Sequence, residues 1–456
     1  MKKNSNIIKM LPVIITLAWP TMLEQLMQTA VQYIDTAMVG SLGTSATAAV
    51  GSTTTINWLV NSSISALGVG FLAYIAKAIG AGEREKAKKA SGQAVLAVIV
   101  VGIFFTVLTL ALSPFVPKWM QVDEGIQKTA SQYFFILYAP MLARTATSIL
   151  GMVLRSAGDT KTPMLISIYV NIINIVLNFL LIYPTRKILG ITVLGAGLGV
   201  IGAGVASAIS FVFGGIAITV CLYRHPEISP KGQKIAPDGE VLKPCLKVAL
   251  PNMLQRFGTS LGYVAFAAMI NSLGEAATAA HTIANTVESA FYIPGYGMQT
   301  ASATLAGNAY GARDKKRMKY LARATILIET VLMCISGGLL FAFAPAMVSL
   351  FSKTPEIIAL GSIVLRMVAL SEPVYGISIV LEGMMQGVGC TKVPFVFNIV
   401  GMWGVRIVGT FICITFLGGT LVSAWGCMIA HNILLFFMFL IYYISDKWNP
   451  IKKSTV

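Results

Sequence analysis

Charge is scarce in this sequence. Acidic and basic residues make up 11% of its 456 positions, and 56% of the side chains are apolar. An ordinary soluble domain carries roughly 25% charged residues. That balance argues against a soluble multidomain enzyme and against a disordered chain. Cysteines are few and scattered: Cys221, Cys245, Cys334, Cys390, Cys413 and Cys427 include no C-x-x-C pair. They therefore read as small core hydrophobes, not as a disulfide or metal framework. No G-x-x-x-x-G-K-[ST] occurs, so the chain has no phosphate loop of its own.

What the sequence does have is apolar runs long enough to cross a bilayer, which takes roughly 20 helical residues. Twelve such segments are expected, at 11–38, 45–76, 91–113, 128–153, 163–184, 199–223, 245–270, 276–308, 321–345, 357–385, 394–417 and 421–444. Several exceed the minimum, so tilts or bends are expected, and Pro20 and Gly68 mark two places for a kink. Met1–Pro20 looks superficially like a signal peptide. It lacks a small-x-small cleavage site, however, and the helical pattern runs on through Glu24 to Asp35.

The net charge of +16 sorts by side. With the N-terminus inside, 22 Lys and Arg fall in inside segments, 5 in outside segments and 7 within or at the ends of spans. Such an excess places both termini in the cytoplasm. The basic charge is topological and calls for no nucleic acid.

The chain also repeats itself. Shifted by 231 residues, Ala18, Pro20, Met22 and Leu23 meet Ala249, Pro251, Met253 and Leu254. Ser41-Leu42-Gly43 meets Ser272-Leu273-Gly274, and Ala46-Thr47-Ala48-Ala49 meets Ala277-Thr278-Ala279-Ala280. Gly80-Ala81 meets Gly311-Ala312, and Gly158, Thr160-Lys161 and Pro163 meet Gly389, Thr391-Lys392 and Pro394. The expected fold is an all-α integral membrane protein of twelve transmembrane helices. They form two six-helix bundles related by a pseudo-twofold along the membrane normal. Residues 1–223 are the N-terminal half, 224–243 a cytoplasmic linker and 244–456 the C-terminal half with a short tail.

Three stretches carry a family resemblance. They are Val31-Gln32-Tyr33-Ile34-Asp35-Thr36-Ala37-Met38-Val39-Gly40, Leu154-Arg155-Ser156-Ala157-Gly158-Asp159-Thr160-Lys161-Thr162-Pro163, and Ala279-Ala280-His281 with Glu288-Ser289 and Pro294-Gly295. In this order, on twelve spans, they make the chain resemble the multidrug and toxic compound extrusion (MATE) family over essentially its whole length. The resemblance implies a secondary antiporter of the cell membrane, in bacteria the inner membrane. It would export organic, often cationic and amphiphilic compounds in exchange for H⁺ or Na⁺. It would not be an enzyme and would need no cofactor beyond the coupling cation. The expected partners are small organic cations or drugs and membrane lipids, and the expected state is a monomer. A flippase of lipid-linked precursors is the alternative within the superfamily. A non-transporting membrane scaffold or receptor is the alternative outside it.

An intramembrane charge costs at least about 2.5–3.5 kcal/mol on insertion scales, so buried acids are the candidates for coupling. In the first half these are Glu24 and Asp35, eleven residues apart and on one helical face. Asp35 has no Lys or Arg nearby in its own span. Such a carboxylate lowers its cost by taking a proton, by binding a cation, or by hydrogen bonding as a structural residue. Asn171, Asn174 and Asn178 form a polar stripe on the fifth span, which reads equally as packing glue. The resemblance places Asp35, Asn174, Asn178 and Ser207 where some prokaryotic members hold a cation. Many members have Asp where Asn178 stands, and the missing charge weakens a Na⁺ site or leaves a proton at Asp35.

The second half offers Glu288, Glu372 and His281 as candidates, with Glu329 and Glu382 also in spans. Acids that some members place in spans 7 and 10 correspond here to Thr259 and Tyr375, both neutral. Arg144, Arg256, Arg366 and Arg406 are candidates for pairing with the acids across helices. Met27, Tyr33, Trp58, Phe291, Tyr292 and Met298 are candidates to line a substrate cavity, since Met and aromatic faces suit promiscuous and cationic ligands. Packing is the alternative reading for each. Gly197-Leu198-Gly199-Val200-Ile201-Gly202 matches G-x-G-x-x-G, but no acid follows about 20 positions on, and the glycines are expected to start the sixth span in a tight loop.

Overall fold

A bilayer interior offers no water to backbone N–H and C=O groups, so its apolar segments bond within themselves as helices. A computed structural model describes residues 2–51, 53–120, 122–188 and 191–451. The first repeat holds α1 (Lys2–Gly40), α2 (Thr44–Gly51), α3 (Thr54–Gly80), α4 (Arg84–Leu112), the single turn α5 (Val116–Trp119), α6 (Glu124–Tyr138), α7 (Met141–Ser156), α8 (Lys161–Leu181) and α9 (Gly199–Arg224). The second holds α10 (Gly239–Asn271), α11 (Glu275–Phe291), α12 (Ile293–Gly311), α13 (Lys315–Ser349), α14 (Pro355–Gly387), α15 (Lys392–Ile399), a π-helical stretch (Val400–Ile407), α16 (Val408–Leu417) and α17 (Leu421–Ile444).

Among the described residues nine helical stretches are long and apolar enough to cross a membrane, and the α6–α7 pair, bent by 47°, makes a tenth. The bend falls at Pro140, which has no N–H to continue the ladder. α10 and the α11–α12 pair, which are not among these ten, cover the two remaining expected segments, 245–270 and 276–308. Their polar residues, among them Gln255, Arg256, His281 and Glu288, lower their hydropathy. α1 stays helical through Pro12 and Pro20.

One feature is not helical. The connection after α8 forms a two-stranded antiparallel hairpin, β1 (Pro184–Ile188) with β2 (Ile191–Ala196). It pairs its own backbone, as a connection between spans can. Gly197 and Gly199 follow it in the left-handed region, at φ 64° and 56°. The G-x-G-x-x-G match is therefore a turn into α9.

The turns explain why certain repeat landmarks survive. Gly43 and Gly274, 231 residues apart, have φ 114° and 105°, and Gly158 and Gly389 have φ 84° and 82°. Each pair ends corresponding helices with a backbone that only glycine adopts without strain.

The chain forms two compact units. One comprises Met1–Met22, Leu72–Glu83 and Cys245–Val456, the other Leu23–Phe71 and Arg84–Pro244. These units are not coextensive with the repeats, because two short stretches of the first repeat pack with the second. Ile14 and Ala18 of α1 share a core with Met298 and Leu305 of α12, Met384 of α14 and Phe439 of α17. The end of α3 crosses α12 backbone on backbone. A Cβ on Gly80 would stand 2.0 Å from the Asn308 carbonyl oxygen, and one on Gly311 would stand 1.9 Å from that of Lys77. Shifting by 231 turns 77 into 308 and 80 into 311, so the two contacts exchange. A Cβ on Gly307 would lie 2.7 Å from Cβ of Ala76, its own counterpart. This crossing is a local twofold inside one unit.

The other unit packs α4, α7, α8 and α9 closely through small residues. A Cβ on Gly215 would meet Cα of Ala143 at 2.6 Å, and one on Gly102 would meet Cα of Leu142 at 2.9 Å. Without a hydrophobic force between helices in lipid, such close approach supplies the packing.

Candidate functional site

In the unit built on Leu23–Phe71 and Arg84–Pro244, α1, α8 and α9 bring four predicted residues together. Asn174 and Asn178 are one helical turn apart on α8, and both are buried. Asn178 Nδ2 donates to Asp35 Oδ1 at 2.6 Å and to Asn174 Oδ1 at 3.1 Å. Asn174 lies 3.1 Å from Ser207 Oγ on α9. Turning the Asn174 amide over exchanges its bond from Asn178 for bonds to Asp35. Its nitrogen then donates to Asp35 Oδ1 at 2.9 Å and Oδ2 at 3.2 Å, and Ser207 Oγ donates to its oxygen. Amide orientation is assigned from such networks, not observed. Asn178 Oδ1 is buried with no hydrogen-bond partner. Asn171, the third member of the stripe, does not join; its Nδ2 has no partner.

Chemically this is a half-buried carboxylate set among amides and a hydroxyl, with no ion pair to Asp35 among the described residues. The donor set consists of hard oxygens, which suit a proton or an alkali cation. Among the described residues no cluster of three or more His, Cys, Asp or Glu is arranged to hold a metal.

Glu24, the other acid of α1, has a different use. Its carboxylate is paired with Arg155 in a buried salt bridge. The sequence offered Arg144, Arg256, Arg366 and Arg406 as partners for acids, and the structure uses Arg155 instead. Shifted by 231, Glu24 and Arg155 become Gln255 and Gln386. In the other unit both glutamines donate to Glu382 Oε1, at 2.8 and 2.9 Å, while Asn398 donates to Oε2 at 3.2 Å. Glu382 thus accepts from three amides.

The second-half candidates separate into two kinds. His281 sits buried among aromatic rings. Its Nδ1 accepts from Trp425 Nε1 at 3.3 Å, and its ring meets Phe266 and Trp425 edge to face. Glu288 and Glu372 are buried acids. Glu288 Oε1 accepts from the Tyr292 hydroxyl at 2.7 Å, and Glu372 has no hydrogen bond to either oxygen.

Glu329 on α13 belongs beside them, with neither oxygen bonded and no exposure. Glu329 and Glu372 pack against glycine reciprocally across the α13–α14 interface. A Cβ on Gly376 would lie 2.8 Å from Glu329 Oε1, and one on Gly337 would lie 3.3 Å from Glu372 Oε2. The rule that picked out Glu288 and Glu372 reaches Glu329 equally, since it too is an acid inside an apolar span. Arg406 sits buried on the π-helical stretch, its guanidinium 4.7 Å from the ring centre of Tyr263 and 4.3 Å from that of Phe266.

The cavity candidates are scattered. Met298 is fully buried in the apolar core, and Tyr292 is turned to Glu288. Phe291 is half-buried beside the second core of that unit. In the other unit Met27 is half-buried and Tyr33 exposed.

Comparison with known proteins follows the repeat. The MatE family profile matches twice, over residues 20–180 and 251–412, with starting points 231 apart. A probable multidrug resistance protein NorM of Thermotoga maritima is 26% identical over 96% of this chain and 92% of its own. A probable multidrug resistance protein YoeA of Bacillus subtilis is 25% identical over 86% and 84%. Among solved structures, a MOP superfamily transporter from Pyrococcus furiosus superposes with a TM-score of 0.88 at 24% identity, over 97% of this chain and 96% of that one. An outward-facing MATE family transporter gives a TM-score of 0.89 at 23% identity, over the same shares. These likenesses establish the fold as that of the twelve-helix, two-lobed transporters. With both repeats matched, the chain belongs to the MatE family of multi-pass membrane transporters and is not an enzyme.

Proposed function

We propose that this protein exports organic, often cationic and amphiphilic compounds from the cytoplasm in exchange for H⁺ or Na⁺, with both termini on the cytoplasmic side. In this reading Asp35, Asn174, Asn178 and Ser207 hold the coupling cation. The observation that carries the reading is the Asp35 network, in which a carboxylate inside a span is held by neutral amides and no cation of the protein. A carboxylate in a membrane calls for a partner that offsets its charge, and among the described residues no Lys or Arg pairs with Asp35. A proton or Na⁺ arriving there changes what Asp35 asks of its neighbours. As an anion it accepts charge-assisted hydrogen bonds, worth about 1.5–3 kcal/mol each. Neutralised, it releases most of that hold, and the coupling of α1 to α8 weakens. The names of the relatives, multidrug resistance proteins, support organic cargo.

Glu288, Glu329 and Glu372 form a second group of acids in the other unit. With no donor for Glu329 or Glu372, each is most readily kept in the membrane with a proton or a small cation of its own. A second coupling step there is part of the same proposal.

The test is ethidium efflux in energised vesicles, with a pH gradient and a Na⁺ gradient imposed separately. Export driven by one gradient and abolished by Asp35→Asn is the expected result. Full coupled export in Asp35→Asn refutes the role of Asp35. No export under either gradient from folded protein favours a flippase instead.

A further inference from the structure

The start of α13 carries a run of cations that the export reading does not use. Arg313, Lys315, Lys316, Arg317, Lys319 and Arg323 are interrupted by one acid, Asp314. That acid caps the helix, its Oδ1 accepting from the Arg317 N–H at 2.8 Å. Lys319 and Arg323 line an open cavity of about 540 Å³, shared with the end of α17 and the tail beyond it. The only acid in its lining is Asp446, already held by Lys315 at 2.9 Å and Lys319 at 3.6 Å. Among the described residues no carboxylate lies within ion-pair distance of Arg323. Its side-chain hydrogen bond is to the Tyr443 hydroxyl. The lining charge is therefore +2 − 1 = +1, and Lys315 behind Asp446 adds to it. An ammonium has three donors, so Lys319 can serve Asp446 and a second anion together. The tail forms a fixed wall: the Trp448 ring lies 5.7 Å from that of Tyr443, and Trp448 Nε1 donates to the Tyr443 carbonyl at 3.2 Å.

The rest of the lining is apolar. Ile326, Leu327 and Ile444 belong to it, and Leu327 and Ile444 are exposed. The same surface continues along α13. At four-residue steps, Lys319, Arg323, Leu327, Val331, Ile335 and Leu339 are all exposed. Residues four apart lie one above the other on adjoining turns, so a path runs from two cations to four apolar side chains. A soluble anion would use only the cations. A molecule that is anionic at one end and apolar along the rest uses the whole path. A zwitterionic headgroup would bring an ammonium to a place whose one acid already has two lysines.

We infer that the cavity between α13 and the tail binds the headgroup of an anionic phospholipid. Its phosphate oxygens accept from Lys319 and Arg323, whose guanidinium matches two of them at once. One acyl chain follows Leu327, Val331 and Ile335. Cations and aromatic side chains at the end of a span suit the headgroup level of a bilayer. The site lies in the compact unit that does not hold Asp35, and it does not depend on which compound is exported.

Native mass spectrometry of the purified full chain in detergent tests this, with phosphatidylglycerol and phosphatidylcholine of identical acyl chains added in turn. The unaltered protein is expected to hold phosphatidylglycerol about tenfold or more tightly, the worth of one charge-assisted hydrogen bond. Lys319→Gln with Arg323→Gln is expected to abolish that preference. Lys161→Gln with Lys392→Gln, which removes two exposed cations from the starts of other helices, is expected to keep it. Millimolar inorganic phosphate is expected to leave the bound phosphatidylglycerol in place. Equal retention of the two lipids by the unaltered protein overturns the site, whether or not the variants fold. An unchanged preference in the first double variant, an equal loss in both, or displacement by phosphate alone overturns it as well.

Discussion

Asn178→Asp puts a second carboxylate beside Asp35 with almost no change of shape. The Asn178 nitrogen is 2.6 Å from Asp35 Oδ1, so the new oxygen takes a donor's place and faces an acceptor. Two unit charges at that separation repel by about 6 kcal/mol at an effective dielectric constant of 20. Among the described residues no Lys or Arg pairs with Asp35 to absorb the excess. The pair therefore cannot sit doubly ionised, and it keeps one proton between its oxygens or captures a cation. Infrared difference spectroscopy on protein in nanodiscs should show one more protonated carboxyl in Asn178→Asp than in the unaltered protein at neutral pH and low Na⁺. Raising Na⁺ should remove that band and release a proton, which an indicator dye counts. Two fully ionised carboxylates without Na⁺, and no proton release on adding it, would refute the reasoning. They would mean that water or an unrecognised cation of the protein solvates the site.

Breaking the Glu24–Arg155 pair by Arg155→Met strands a buried carboxylate and should cost about 3–5 kcal/mol, read as a lowered unfolding temperature. Glu24→Gln with Arg155→Gln, which reproduces the pair of glutamines at 255 and 386, should recover most of it. Gly311→Ala drives a methyl group to within 1.9 Å of the Lys77 carbonyl oxygen, and should cost about 1–3 kcal/mol or more. Gly338→Ala, with nothing within 4 Å of the new carbon, should leave stability unchanged or raised by the same thermal assay. Asp446, beyond the end of α17, is bonded by Lys315 at 2.9 Å with Lys319 at 3.6 Å. Burial pushes its carboxyl up, but the Lys315 hydrogen bond and the two lysine charges outweigh it, so it lies below the ordinary carboxylate range. A depressed acid stabilises above its unfolded value, so attachment of the tail should hold at neutral pH and weaken only as pH falls through that range. Limited proteolysis of the tail against pH reads this out, and an onset near neutrality would contradict it.

Much of the fold could be read from two features of the sequence, apolar length and the 231-residue repeat. Gly43, Gly158 and their counterparts stood out as landmarks because the turns they make need a left-handed backbone. Gly80 and Gly311 stood out because a carbonyl occupies the space of a side chain. The regrouping of Met1–Met22 and Leu72–Glu83 with the second repeat was not legible, because which helix ends meet depends on tertiary packing, not on period or composition. Asp35 and the amide stripe stood out because an acid and amides within apolar helices have few reasons to exist there, while the family resemblance, not the pattern, joined them to Ser207. The Arg155 partnership was missed for the opposite reason. An arginine at the end of a span reads as a topological charge, and only the fold shows it reaching back to Glu24.

The departures from the repeat carry the chemistry. Asp35 has Phe266 as its counterpart, and Asn174 and Asn178 have Val405 and Gly409, so the second repeat has no copy of the Asp35 network at those positions. Conversely, Glu288, Glu329 and Glu372 stand where the first repeat has Asn57, Val98 and Met141. One half gathers amides and a hydroxyl around Asp35, apart from its Glu24–Arg155 pair, and the other holds Glu288, Glu329 and Glu372 with few donors. If the two groups were interchangeable, duplicated positions would have kept the same residue types, as the turn glycines did. On the proposed reading, their divergence assigns the two groups to different ions or different moments of one cycle. Neutralising Asp35 and neutralising Glu372 should therefore fail in distinguishable ways: Asp35→Asn in the gradient dependence of export, Glu372→Gln with that dependence kept and the rate changed. Identical phenotypes would return the two bundles to a single shared site.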